Sequence, residues 1–497
     1  MTAVLLLLLG DGSGDHGHDG ERVGVCRRIS LVSVGLGLLM ALALVLQAAG
    51  GGLMVYRLGE WPAPFGIVMV VDRLSALMVL LTYLVAVPVL WYATGGWDTR
   101  GRHFHALFQF QLMGINGAFL TGDLFNLFVF FEILLIASYA LLVHGGGAER
   151  VRAGLHYVVL NLVGSAFFLL AVGVLYGITG TLNMADMAIR VAAAGPDDAA
   201  LLGAAGLLLL VVFGLKAAFL PLYFWLPKAY ASATAPVAAL FAIMTKVGLY
   251  SIIRVYTLIF GDEAGSLANM ANDWLWPIAL LTLALGVIGA LAAVSLQGLL
   301  AYLVVVSVGT LLAGIAIGTE QALAAALYYL VHSTWVAGGL FLLADLIARQ
   351  RGDKQALLVQ GPALQNPHLL GGLFFFGAIA VAGLPPLSGF IGKLLLLRSL
   401  EPGVQALMLW PVVLGGGLLT LVALSRAGSM LFWRVGLSQL DSAELDYGRL
   451  LACAGLLLLS LVLMVGAAPL LSYVEATASQ LHDLALYRQI IESGAAR

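Results

Sequence analysis

The sequence predicts an all-α polytopic membrane protein of about 14 transmembrane helices, the first one truncated, with two inverted five-helix repeats that each contain a broken helix. Three observations carry this. Of the 497 residues 61% are hydrophobic and only 10% charged, with a mean hydropathy of +1.02, far from an average soluble domain. Apolar runs of about 20 residues, enough to cross the hydrocarbon, recur along the whole chain. Two of these runs, "FLPLYFWLPKAY" and "GLPPLSGFIGK", are interrupted by proline about 165 residues apart. Broken helices at corresponding places in two halves mark transporters built from inverted repeats.

Taken in order, the runs fall at 29–48, 74–94, 105–121, 124–143, 153–178, 200–227, 233–258, 274–296, 299–318, 321–347, 369–397, 406–432 and 450–472. The N-terminal "MTAVLLLLLG" is too short to be a fourteenth: nine helical residues rise about 14 Å, half a crossing. With no positive residue ahead of it, it does not read as a signal peptide, and it is expected to be the stump of a first crossing. The chain then divides into N-terminal helices (1–104), a first repeat (105–258), a second repeat (274–432) and a C-terminal helix with its tail (450–497). No polar stretch is long enough to bury a core of its own.

Net charge is −2, and no nucleic-acid partner is implied. Distribution says more. With alternating crossings, Arg22, Arg27, Arg28, Arg100, Arg102, Arg150, Arg152, Lys228, Arg349, Arg351, Lys354, Arg426, Arg434 and Arg449 share one side, which the positive-inside rule makes cytoplasmic. Both termini are then expected outside. Cys26 and Cys453 fall on a loop and in an apolar helix, so no disulfide is implied.

Several motifs lead nowhere. "GSGDHG" at Gly12–Gly17 matches a dinucleotide fingerprint but lacks a strand before it. His16 and His18 lie in the same turn-rich stretch without further metal ligands. There is no Walker A motif and no Cys-x-x-C, so neither ATP hydrolysis nor iron–sulfur chemistry is supported, no cofactor or metal is implied, and the driving force must be an ion gradient or another subunit.

Five ionisable residues lie deep in apolar runs: Glu132, Lys216, Lys246, His332 and Lys393. A charge at the bilayer centre costs about 2.5–3.5 kcal/mol on insertion scales, so such residues usually face the bundle interior or a wet cavity and serve ion or proton transfer. Bland readings stand beside this one. Lys393 is near enough to Arg398 to snorkel, Glu132 can be a neutral buried acid, and His332 fits either a hydrogen-bonded core histidine or a proton carrier. Asp72 reads as a helix N-cap, and Arg254, Asp345, Arg426 and Arg434 read as interface residues. A carboxylate beside Lys216 would hold its ammonium charged while burial favours the neutral amine, and that competition makes a titratable switch. Lysines at intervals, with a histidine between, could pass protons laterally through bound water.

The segments "FNLFVFFEILLIASYALL", "GLKAAFLPLYFWLPKAYASATAPVAALFAIMTKVGLYSIIR", "ALYYLVHSTW" and "AVAGLPPLSGFIGKLLLL" resemble the antiporter-like membrane subunits shared by respiratory complex I, membrane-bound hydrogenases and Mrp multisubunit cation/proton antiporters. The resemblance runs from about Asp72 to Trp433. "ASATAPVAALFAIMTKVG", "ALSRAGSMLFW" and the overall length are most similar to the D subunit of Mrp complexes. The resemblance implies Glu132 and Lys216 as a charged pair, Lys246 as the bridging lysine, His332 as the relay on the broken helix of the second half, and Lys393 as the terminal lysine. It implies a secondary transporter component rather than an enzyme, in a bacterial plasma membrane, exchanging cytoplasmic sodium or another monovalent cation for external protons alongside other subunits. Ala337 and Gln297 stand where many relatives carry basic residues, which throws more of the second-half relay onto His332. The alternative implied by the same resemblance is a proton-pumping component of a complex I or hydrogenase type redox enzyme.

Overall fold

A computed structural model describes residues 1–10, 19–61, 64–436 and 445–488; the "GSGDHG" stretch with His16 and the adjoining His18 lies outside them. The short helix α1 (Thr2–Gly10) packs against α2 (Asp19–Ala48) and α4 (Phe104–Leu120), with Leu6 buried. Between α2 and α3 (Arg73–Ala93) the chain forms an antiparallel pair, β1 (Met54–Arg57) with β2 (Val68–Val71), which the apolar runs do not foretell. Next come α5 (Leu124–Val143), α6 (Ala148–Thr179) and the nine-residue α7 (Met184–Ala192), also unanticipated. The first broken crossing follows: α8 (Pro196–Ala217), then α9 (Trp225–Ser232), α10 (Ala235–Phe241) and α11 (Met244–Leu258).

The second half contains α12 (Asn272–Ala292), α13 (Leu296–Ile317), α14 (Glu320–Gln350), the broken pair α15 (Pro367–Ala382) and α16 (Ser388–Arg398), and α17 (Val404–Gly428). The expected final span, 450–472, is divided instead. α18 (Tyr447–Val465) stops at Gly466, and α19 (Ala467–His482) turns to lie on α14 and α3. Among the described residues, 11 helical segments are long and apolar enough to cross a membrane. α4, of 17 residues, and the α15–α16 pair supply two more of the expected spans.

Helix ends within or near hydrocarbon need partners for their free N–H groups, and the sequence supplies them. The Asp72 carboxylate accepts from Ser75 N at 2.8 Å, Asp123 from Asn126 N at 2.7 Å, and Thr319 from Ala322 N at 3.2 Å. Asp72 does more than cap. Its carboxylate also accepts from Arg254 (Nη2–Oδ1, 2.9 Å), and that arginine is 4% exposed, so Arg254 belongs to a buried ion pair rather than to the interface position expected of it.

The two ends of the bundle differ in charge. Arg27 pairs with Asp98, Arg150 donates to Ser232 O, Arg349 pairs with Asp345 and Arg426 donates to Ala293 O, all at one end. Arg73 and Arg254, together with a 1060 Å³ cavity lined by Glu320, Arg398, Glu401 and Glu475, mark the other. The crossings therefore sort these arginines as the alternation of spans requires.

Candidate functional site

Lys216 sits in the last turn of α8, just before the chain leaves the helix at Ala218, whose φ is +61°. Helix C-termini favour cations, so the break offers the lysine a partly negative end. Its Nζ donates to Asn161 Oδ1 of α6 at 3.1 Å and lies 5.8 Å from the Phe131 ring centroid. Glu132, on α5, accepts a hydrogen bond from Ser165 Oγ, which also donates to Asn161 O at 3.0 Å. Glu132 and Lys216, the expected charged pair, make no direct ion pair among the described residues. Acid and base are joined through Ser165 and Asn161, one helical turn apart on α6, because the α6 ridge lies between the two side chains. Neither α6 residue was foreseen, although an asparagine and a serine four residues apart in an apolar run were a visible signal.

Lys246, fully buried on α11, is held among the described residues only by hydroxyls: Thr245 Oγ1 and Ser307 Oγ of α13, each at 3.4 Å. Two residues further on, Gly248 lets α11 touch α8 beside Lys216, since a Cβ there would lie 2.4 Å from Ala217 N.

His332 stands mid-way along α14, which is continuous over 31 residues. The expectation that it lies on the broken helix is corrected. The break, at Gly383–Leu387, carries Lys393 instead, because it is the proline pair Pro385–Pro386 that cannot continue a helix. His332 reaches the broken segment sideways, with Nδ1 2.8 Å from Ser388 Oγ, itself 2.7 Å from Ser460 Oγ of α18. Lys393 Nζ donates to Val381 O at 3.2 Å and Ala382 O at 2.8 Å. These are carbonyls freed at the end of α15, so the ammonium points back into the break rather than out to a headgroup.

The arrangement places four basic groups and one acid on neighbouring helices of both halves, each beside hydroxyls, an amide or freed carbonyls that can exchange protons or hold water. Among the described residues no group of three or more His, Cys, Asp or Glu forms a metal site.

A family model described as NADH:quinone oxidoreductase/Mrp antiporter, TM matches residues 121–421, the stretch that holds all five ionisable residues. The chain belongs to this family. Curated members of the NADH:quinone oxidoreductase/Mrp antiporter family similar to it include the D subunit of a probable K(+)/H(+) antiporter from Rhizobium meliloti, 44% identical over 476 residues and covering 88% of this chain and 86% of that one. The D subunit of the Na(+)/H(+) antiporter from Bacillus subtilis is 38% identical over 464 residues, covering 92% of each. A chain in the Mrp complex from Dietzia sp. DQ12-45-1b superposes with a TM-score of 0.84 at 25% identity, covering 99% of this chain and 97% of that one. One in respiratory complex I from Thermus thermophilus gives 0.75 at 27% identity, covering 97% and 98%.

Proposed function

We propose that the chain is the D-type membrane component of a multisubunit monovalent cation/proton antiporter of a bacterial plasma membrane, and that it carries protons along Glu132, Lys216, Lys246, His332 and Lys393. The observation that supports this best is that each of these residues is sited at a helix break or beside a hydroxyl or amide from another helix, in a chain 38–44% identical to proteins named as D subunits of such antiporters. Lys216 and Lys393 sit at the two breaks, and Lys246 lies between the halves with neutral hydroxyl partners that can take either protonation state of the amine. Proton movement along such a chain needs water or hydroxyls between the titratable groups, and Ser165, Asn161, Ser307, Ser388 and Ser460 provide fixed stations. The names of the relatives differ in cation, Na(+) in one and K(+) in the other, so the reading extends to a monovalent cation and to partner subunits of such a complex. The 38–44% identity to D subunits of antiporters favours antiport over a redox-driven pump, while the solved chains of the Mrp complex and of complex I, 25% and 27% identical, share the fold about equally.

Lys246→Ala tests this. The helix keeps its packing while the protonatable group between the halves is removed, so the complex should assemble at wild-type levels and lose dissipation of a pH gradient in everted vesicles. Normal exchange at normal protein levels would remove Lys246 from the proton route.

A further inference from the structure

At the arginine-rich end of the bundle a cavity of about 590 Å³ opens between the α3–α4 loop, the start of α6, the α9–α10 junction and the end of α14. Trp97 forms part of its wall, and three guanidiniums surround that one indole: the Cζ atoms of Arg100, Arg349 and Arg150 lie 3.8, 5.2 and 5.9 Å from its ring centroid. Like charges gathered around one ring repel one another, Arg100 with Arg349 and Arg150 with Arg100.

Their local partners do not balance them. The Asp345 carboxylate accepts from Tyr92 Oη at 2.6 Å, Trp97 Nε1 at 3.1 Å and Arg349 Nε at 2.7 Å, so it is engaged by one arginine. Arg150 is held by neutral carbonyls, Ser232 O, Gly146 O and His144 O. Glu149 also lines the cavity, exposed and in no ion pair with these arginines among the described residues. The Arg100 guanidinium makes no hydrogen bond or ion pair among the described residues; partial burial and then Arg349 push its pKa down from the ordinary arginine value, and Asp345 offsets them only in part. The exposed Arg100 guanidinium, stacked on Trp97, presents its free donor edge over a polar cavity.

We propose that this cavity binds a phosphate-bearing anion, with Arg100 as the principal ligand and Arg150 and Arg349 supplying field. Guanidiniums match phosphate oxygens in a bidentate fork, and the volume suits a headgroup-sized ligand. Basic pockets between transmembrane helices at this level bind anionic phospholipid headgroups, while free phosphate offers the same chemistry. No step of the proton route depends on this site.

The test titrates the detergent-solubilised complex with dihexanoyl phosphatidylglycerol, with dihexanoyl phosphatidylcholine or with inorganic phosphate, and follows the thermal midpoint of wild type, Arg100→Gln and Arg434→Gln. Arg434 is an exposed arginine of the same basic set outside the cavity, so it controls for general surface charge. Phosphatidylglycerol should raise the wild-type midpoint and phosphatidylcholine should not, with the half-saturating concentration at least tenfold higher in Arg100→Gln and unchanged in Arg434→Gln. A shift produced equally by inorganic phosphate, with the same dependence on Arg100, supports the site and assigns it to the free anion. No anion-dependent shift, or equal weakening in the two variants, overturns it.

Discussion

Asn161 is the residue on which the first-half charges turn. Its Oδ1 is the acceptor for Lys216 Nζ, and its carbonyl takes the Ser165 hydroxyl that also reaches Glu132. Replacing it by leucine keeps the approximate volume and leaves a buried amine without that acceptor, which costs about 1–3 kcal/mol. Asn161→Leu should therefore lower exchange as far as Lys216→Ala does, with assembly reduced only modestly, as read by pH-gradient dissipation and by the amount of complex in the membrane. Full exchange in Asn161→Leu would show that Lys216 reaches the acid by another route. In the second half, His332 depends on Ser388, so Ser388→Ala should lower exchange while Ser388→Thr, which keeps the hydroxyl, retains more of it. Equal loss in both would make the contact one of packing. The five ionisable residues were legible because a charge in an apolar run stands out. Their neutral partners stood out only as polar residues in apolar runs, because only the packing of helices against one another says which of them touch a charge.

At the scale of elements, two close approaches hold the broken helices in place. A Cβ on Gly389 would lie 2.1 Å from Ala380 O and 2.7 Å from His332 Nε2, so α16 can lie across the end of α15 and beside α14 only with glycine there. Gly248 does the same for α11 against α8, with backbone rather than a flexible side chain as the obstacle. Overpacking of this kind costs about 1–3 kcal/mol. Gly389→Ala and Gly248→Ala should each lower the thermal midpoint of the purified complex, whereas Gly372→Ala, where nothing lies within 4 Å, should leave it within error. Matching midpoints for all three would mean that the breaks are not held by these contacts. The proline motifs located both breaks in advance. They could not say that His332 would approach its break from a neighbouring unbroken helix.

For the molecule as a whole, the separation of arginines between the two ends sets orientation. With the basic end inside, a cysteine replacing the exposed Lys354 should react with an impermeant maleimide only in everted vesicles, and one replacing the exposed Glu401 only in intact cells. The reverse pattern would invert the topology and carry the arginine-lined cavity to the outside. Stability at that end also depends on pH. Burial resists ionisation of Asp98, but hydrogen bonds from His105 and Arg27 outweigh it and hold the carboxyl at about 2, below its ordinary 3.8. A carboxyl with a depressed pKa stabilises the fold fully above its unfolded value and loses that contribution as pH falls through its folded one. The thermal midpoint of the wild type should therefore drop between pH about 4 and about 2 by more than that of Asp98→Asn, which is already destabilised at neutral pH. Parallel curves would show that Asp98 does not anchor α2 to the start of α4.

Composition and run length alone determined that this chain crosses a membrane many times, since hydrocarbon imposes a length on every crossing and forbids unpaired backbone within it. The same constraint made the proline breaks and the isolated charges conspicuous. Only the tertiary structure decided that Glu132 and Lys216 meet through α6 rather than directly, that Arg254 is buried on Asp72, and that Arg100, Arg150 and Arg349 gather around one tryptophan. Those outcomes depend on how helices distant in sequence rotate against each other. In lipid every helix face is apolar to a similar degree, so hydrophobic periodicity, which fixes rotation in a soluble bundle, carries little of that information here.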